Sequence, residues 1–290
     1  MIHTAVVTDT NSGISVAEGE ELGIYVLPMP VIVDGHEYTE GMDISHDDLF
    51  AAMQAEKAVM TSQPSIEDVR ALWEKALENG AEEVVYLPMS SELSGSCAAA
   101  IQLAQDFQGR VEVVDNHRIS VTLRSSVLDA LYLSRQGKKA REIKAILEKN
   151  AFDASIYICV NTLKYLKRGS RVTAAGASLA TAMNLHPVLN IRGGKLDAQC
   201  VVRGEKHMQR TLIKLMETDL EKRFRYIPRN EIRMYTAGTF TNPQDAEEWT
   251  ARVQKNFRET EVRYYPLSCS ITCHVGENAV AIAMAIKGVS

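Results

Sequence analysis

The chain has 290 residues, 46% of them apolar and 24% charged, which is enough to bury a large core and too apolar for a disordered polyelectrolyte. A formal net charge of -5 and a pI near 5.9 give no long-range attraction for nucleic acid or an anionic membrane surface. No apolar stretch reaches the roughly 18 residues of a bilayer-spanning helix, so any lipid is expected to be handled from the aqueous side.

The start Met1-Ile2-His3-Thr4 lacks the basic region and long apolar run of a signal peptide, and the five cysteines form an odd, sparse set. A reducing cytoplasmic setting is the expectation. Cys269 and Cys273 form a C-x3-C pair with no second Cys/His pair at ligand spacing, so they are expected as buried small hydrophobes and no metal site is expected.

In chain order, short apolar runs at Thr4 to Thr8, Ile24 to Pro28, Glu83 to Met89, Val111 to Asp115 and Ser155 to Val160 read as buried strands alternating with segments of helical period. That rhythm predicts a mostly parallel sheet with helices on both faces. Ser45 with Asp48 and Ser65 with Asp68 are S-x-x-D capping patterns, and Gly80, Gly109 and Gly137 are plausible helix stops. From about residue 185 the texture changes, with His186 to Val202 reading as a hairpin around Gly193-Gly194. A helix follows near Lys206 to Arg223, a strand near Ile232 to Ala237, a helix at Gln244 to Phe257, and strands near Glu261 to Leu267 and Ala279 to Ile286. The expected fold is therefore α/β with two α/β domains, 1–160 and 161–290, the second built on a mixed sheet, with the ligand in the cleft between them.

Four hydroxyl-rich segments fall where strands end or helices begin: Thr8 to Ser12, Thr61 to Ser65, Ser90 to Ser96, and Asp115-Asn116. Each alone reads as an ordinary cap, and Ser65 as nothing more. Together, at the carboxyl edge of a parallel sheet, they offer hydroxyls and free amides to an anion. Ser94-Gly95-Ser96 is the most informative, because glycine lets a ligand oxygen approach the backbone. His274, beside Gly276, would join them only if the second domain carried it over the first. A serine esterase, with Ser94 or Ser62 as nucleophile, His274 as base and Asp9 or Asp115 as orienter, is an alternative without a G-x-S-x-G elbow behind it. The sequence also lacks a P-loop and a G-x-G-x-x-G.

Read together, these segments resemble the DegV family of bacterial fatty-acid-binding proteins. Thr8-Asp9-Thr10 is similar to the family's TDS/TDT opening, and Asp34-Gly35 through Ile44 to its DG..Y.DG.DI stretch. Thr61 to Ser65 is letter for letter its TSQPS, Ser91 to Ser96 resembles its S-x-LSGT, and Tyr165 to Val172 its YLxKGGRI. Leu185 to Leu189 with Gly194-Lys195-Leu196 resembles its NIKPIL hairpin. The resemblance implies a protein that binds a long-chain fatty acid and presents it to an ATP-dependent fatty acid kinase subunit, with no catalytic residue, cofactor or metal of its own. It implies that Thr61, Ser62, Ser94 with Gly95, and His274 hold the carboxylate, and that Arg203 meets the kinase. No buried Lys or Arg is expected in that cradle. The wider fold, shared with the substrate domain of dihydroxyacetone kinases, keeps a small-metabolite ligand as a further alternative.

Three departures stand out. Gly276-Glu277-Asn278-Ala279 replaces GPGA, His186 stands for Lys, and Asn116 for Ser. Glu277 would oppose a bound carboxylate unless it points outward.

Overall fold

The computed structural model describes residues 3–179 and 185–289. Its strands are β1 (Thr4–Asp9), β2 (Tyr25–Leu27), β3 (Pro30–Val33), β4 (His36–Thr39), β5 (Val59–Thr61), β6 (Glu83–Leu87) and β7 (Val111–Val113). They continue with β8 (Ala154–Cys159), β9 (Leu185–Ile191), β10 (Asp197–Arg203), β11 (Ile232–Gly238), β12 (Val262–Pro266) and β13 (Val280–Ile286). The helices are α1 (Val16–Leu22), α2 (His46–Gln54), α3 (Ile66–Glu78), α4 (Ser96–Ala104), α5 (Ser120–Arg135) and α6 (Ala140–Lys149). After them come α7 (Lys164–Gly169), α8 (Ala174–Ala177), α9 (Glu205–Lys222), α10 (Pro243–Asn256) and α11 (Cys269–Val275).

Three sheets result. The first is parallel, in the order β2-β1-β6-β7, as the buried apolar runs of the N-terminal part predict. Helices α3 and α4 cover its outer face, where Trp73 is fully buried and meets Tyr86 and Phe107 edge-on at centroid distances of 5.5 and 5.4 Å. Each such aromatic pair adds roughly 0.5–1.5 kcal/mol to its area burial. The second sheet is mixed, in the order β10-β9-β8-β13-β11-β12, with α9 and α10 packed on its outer face. The third is a small antiparallel sheet, β4-β3-β5, bearing on α2 and α11.

One strand lies elsewhere than its sequence suggests. Ser155 to Val160 reads as a member of the first sheet, but β8 pairs antiparallel with β13 and β9 in the middle of the second. All six of its residues are buried, so its composition specifies a central strand without naming its neighbours. Helix α5 separates the sheets, packing on β1 and β6 with one side and on β13, β11 and β8 with the other. It is buried nearly all round, and two of its buried charged groups are paired: Arg124 with Glu18, and Asp129 with Arg233, which donates at 2.7 Å.

The capping patterns form as read. Ser45 and Asp48 make a reciprocal capping box, and Ser65 accepts the Asp68 amide, which gives Ser65 the plain capping role expected of it. Among the described residues no helix is long and apolar enough to cross a membrane.

Candidate functional site

Between the two larger sheets lies a cavity of about 250 Å³. Its walls are mostly apolar, with Leu93, Ile119, Val121, Ile156, Ile158 and Ile191 among them, and polar side chains that include Asn11, Ser120 and Ser270 interrupt them. Thr61, Ser62, Ser94 and His274 all line it, so the structure brings together hydroxyls and an imidazole that are spread over more than two hundred positions of chain.

Each is held by local chemistry. Thr61 ends β5, whose register with β3 places it opposite Val31. Ser62 follows in the loop, where its hydroxyl donates to the Glu37 carboxylate of β4 at 3.0 Å. Ser94 sits in the turn before α4, and its Oγ accepts the Ser96 amide at 3.2 Å. His274 lies in the last turn of α11. That helix starts because Ser268 accepts the Ile271 amide and the buried Glu40 carboxyl group accepts the Cys269 amide at 2.5 Å. It ends at Gly276, whose φ of 78° suits glycine.

Thr61 Oγ1 and His274 Nε2 are 2.9 Å apart. Burial, with Arg171 and Arg168 adding to it, depresses the imidazole to about 4, so it is neutral at physiological pH. The ring rests against α7 at Gly169, where a Cβ would stand 2.4 Å from Nδ1. Only glycine leaves that space.

Gly95 adjoins the site through Gln63. It is not among the wall residues; instead a Cβ there would lie 2.5 Å from Gln63 Nε2, so the glycine makes room for Gln63, which does line the cavity. Arg203 is exposed at the end of β10, opposite Leu185, and is not part of the wall.

Arg171 is the residue that sequence reading missed. It lines the cavity, held by donation from Nε to the Leu93 carbonyl at 3.1 Å and from Nη1 to the Gly169 carbonyl. Among the described residues it has no carboxylate partner, and it is half-buried, so a cation lines the cavity without being the buried Lys or Arg whose absence was expected. Arg171 stands next to last in the Tyr165 to Val172 segment, where nothing local shows that it faces the cavity.

Glu277 points away from the polar end: its Oε1 accepts from Gln54 Nε2 at 2.8 Å. Asn278 adopts φ 55°, and its Oδ1 accepts the Thr241 amide and hydroxyl. Asn is the residue that best replaces glycine in this left-handed conformation, which explains how Glu-Asn can stand where Pro-Gly is usual.

No Ser-His-Asp relay exists among the described residues. His274 bonds Thr61 rather than a serine, Asp9 accepts the Asn11 and Met89 amides, and Asp115 accepts the Ser91 and His117 amides. Glu40, His46 and Cys269 bring ligand-type atoms within 4.8 Å of one another. Their bonds anchor α11: Glu40 also accepts from Thr10, and His46 Nε2 pairs with the Leu267 carbonyl at 2.7 Å. Cys269 and Cys273 are buried, as expected, and burial pushes the Cys273 thiol up to about 12.

The chemistry on offer is recognition of an anion at one end of an apolar cavity. Comparison with known proteins agrees in fold and lineage. A family model described as an uncharacterised protein of the DegV family matches residues 3–287. A DegV domain-containing protein of Deinococcus radiodurans is 32% identical over 282 residues, covering 97% of each chain. Another from Streptomyces coelicolor is 34% identical over 67% of this chain and 69% of its own. A Thermus thermophilus DegV family protein, whose structure is reported for fatty acid binding, superposes with a TM-score of 0.86 at 30% identity, over 98% of this chain and all of its own. A stearic acid-binding protein of Eubacterium ventriosum shares the fold, with a TM-score of 0.86 at 20% identity over 99% of both chains. The chain belongs to the DegV family.

Proposed function

We propose that this protein binds a long-chain fatty acid in the cavity, with its carboxylate held by Thr61, Ser62, Ser94 and His274 and faced by Arg171. One observation carries the reading: the hydroxyls of Thr61, Ser62 and Ser94, a neutral imidazole and a guanidinium without a carboxylate partner among the described residues line one mostly apolar cavity. The fatty acid binding of the Thermus thermophilus relative supports the same ligand class.

The two ends contribute differently. Withdrawing methylenes from water is worth about 0.8 kcal/mol each, so a chain of a dozen contributes roughly 10 kcal/mol before association costs. Each hydrogen bond to the carboxylate adds about 1.5–3 kcal/mol and rejects ligands without an acceptor head. The tail therefore governs affinity and the head governs ligand class. In the Nε2–H tautomer the ring donates to Thr61 Oγ1 and leaves the Thr61 hydroxyl proton for the ligand, so that form of the neutral His274 polarises the threonine without carrying charge.

In this reading residues 1–160 carry the carboxylate loops and 161–290 close over the lipid, in a cytoplasmic protein that is not an enzyme. The carboxylate is offered to an ATP-dependent kinase subunit for acyl-phosphate formation, with Arg203 on the surface that meets it. The exposure of Gln63 and Arg203 supports such access. Lipid extraction and mass spectrometry of the purified protein test the reading, with a fatty acid expected in about stoichiometric amount. A protein that is empty and takes up no labelled oleate or palmitate overturns it. Hydrolysis of a p-nitrophenyl ester lost in Ser94→Ala would favour an esterase instead.

A further inference from the structure

The register of the second sheet shows where the cavity stops. On β13, Ala281 stands between Ala237 of β11 and Ile158 of β8, and all three line the cavity. The next row on that face has Ala283 between Tyr235 and Ile156, and Ala283 and Ile156 line it too. One row further, Ala285 stands between Arg233 and Ala154, and none of these three reaches the cavity.

The cause is an ion pair. Arg233, in that third row, donates to Asp129 Oδ1 at 2.7 Å and Ser125 Oγ at 2.8 Å, both on α5, and so fixes the helix against the sheet. The other end of β13 follows directly on His274 and Gly276, at the polar end. The strand cannot recede from a larger side chain, because its opposite face, Val280, Ile282 and Met284, is packed into the cluster formed with α9 and α10.

Resting on the fatty-acid reading above, we infer that Ala283, the last residue of β13 beneath the cavity before the Arg233–Asp129 pair closes it, sets the greatest acyl length that the site accepts. Any bulk added at 283 occupies the space of the chain's methyl end.

The test loads wild type, Ala283→Leu and Ala283→Gly from an equimolar mixture of saturated fatty acids of ten to twenty carbons. Mass spectrometry reads the bound acids, and circular dichroism melts report folding. Leucine adds three carbons, so the preferred acid should shorten by about three methylenes. The longest acid held by wild type should lose roughly sixty-fold in relative occupancy, at about 0.8 kcal/mol per methylene. Glycine should move the preference to longer acids. A folded Ala283→Leu protein with the wild-type length profile overturns the inference and leaves fatty-acid binding standing. If that variant does not fold, Ala283→Gly decides alone: an unchanged profile overturns the inference, a shift to longer acids supports it. Wild type that loads no acid from the mixture overturns the fatty-acid reading itself, and the inference with it.

Discussion

Thr61 Oγ1 and His274 Nε2 meet at 2.9 Å across a separation of 213 residues, joining the small antiparallel sheet to α11 at the polar end of the cavity. Thr61→Val keeps the shape and removes the hydroxyl. It leaves His274 without its partner and the ligand without one donor, so fatty-acid affinity should fall about tenfold to a hundredfold, and the unpaired buried imidazole should lower stability by about 1–3 kcal/mol. Titration calorimetry against palmitate checks it. Affinity within twofold of wild type would remove Thr61 from the cradle.

Gly169 serves the site through His274 alone. Its missing Cβ leaves the imidazole in place, since an added one would lie 2.4 Å from Nδ1 and 2.9 Å from Cε1. Gly169→Ala should therefore displace the ring and weaken binding about tenfold, although alanine is the better helix former and α7 should persist. Far-ultraviolet circular dichroism should be unchanged while affinity drops. An unchanged affinity would mean that the ring position does not matter.

Glu37 holds the Ser62 hydroxyl from the exposed side of the site. A ligand carboxylate must displace it, and the like charge nearby opposes that exchange. Glu37→Gln should tighten fatty-acid binding a few-fold, more at low ionic strength than at high. Weaker binding in the variant would show that Glu37 positions Ser62 rather than competing for it.

Two buried groups set opposing pH dependences. His274 protonates near its ordinary value of 6.5 in the unfolded chain and near 4 in the fold, so the fold loses stability as pH falls through that window. The full loss is about 3 kcal/mol. Asp9 is lifted by burial from 3.8 to about 6, so the fold holds its proton to higher pH and loses that contribution as pH rises through this range. The two largely offset each other between pH 4 and 6. His274→Gln should then gain about 3 kcal/mol on wild type between pH 7 and 4, and Asp9→Asn should steepen the acid loss. Urea denaturation at several pH values measures both. Parallel wild-type and His274→Gln profiles would contradict the histidine assignment.

Sequence reading reached the parts of this fold that are locally encoded. Ser45 with Asp48 and Ser65 with Asp68 mark helix starts through contacts three residues apart, and the hairpin around Gly193-Gly194 forms between β9 and β10. In the third sheet the β3–β4 hairpin turns on Asp34-Gly35, a local signal that went unused, whereas β3 meets β5 across an intervening helix, a pairing that no local pattern encodes. The placement of β8 failed for the same reason. In the site, the hydroxyl residues were legible because their segments kept their order along the chain. Arg171 and the outward turn of Glu277 were not, because both depend on carbonyl or amide partners distant in sequence, Leu93 for one and Gln54 for the other.

The central claim is that the polar end of the cavity binds an ionised carboxylate, and carbon-13 NMR of carboxyl-labelled palmitate bound to the protein tests it most directly. The account predicts one bound resonance that stays ionised to lower pH than the free acid, because Arg171 and the hydroxyls favour the charged form, and that shifts in Thr61→Val. A protonated bound acid at neutral pH, or a resonance indifferent to Thr61→Val, would contradict it.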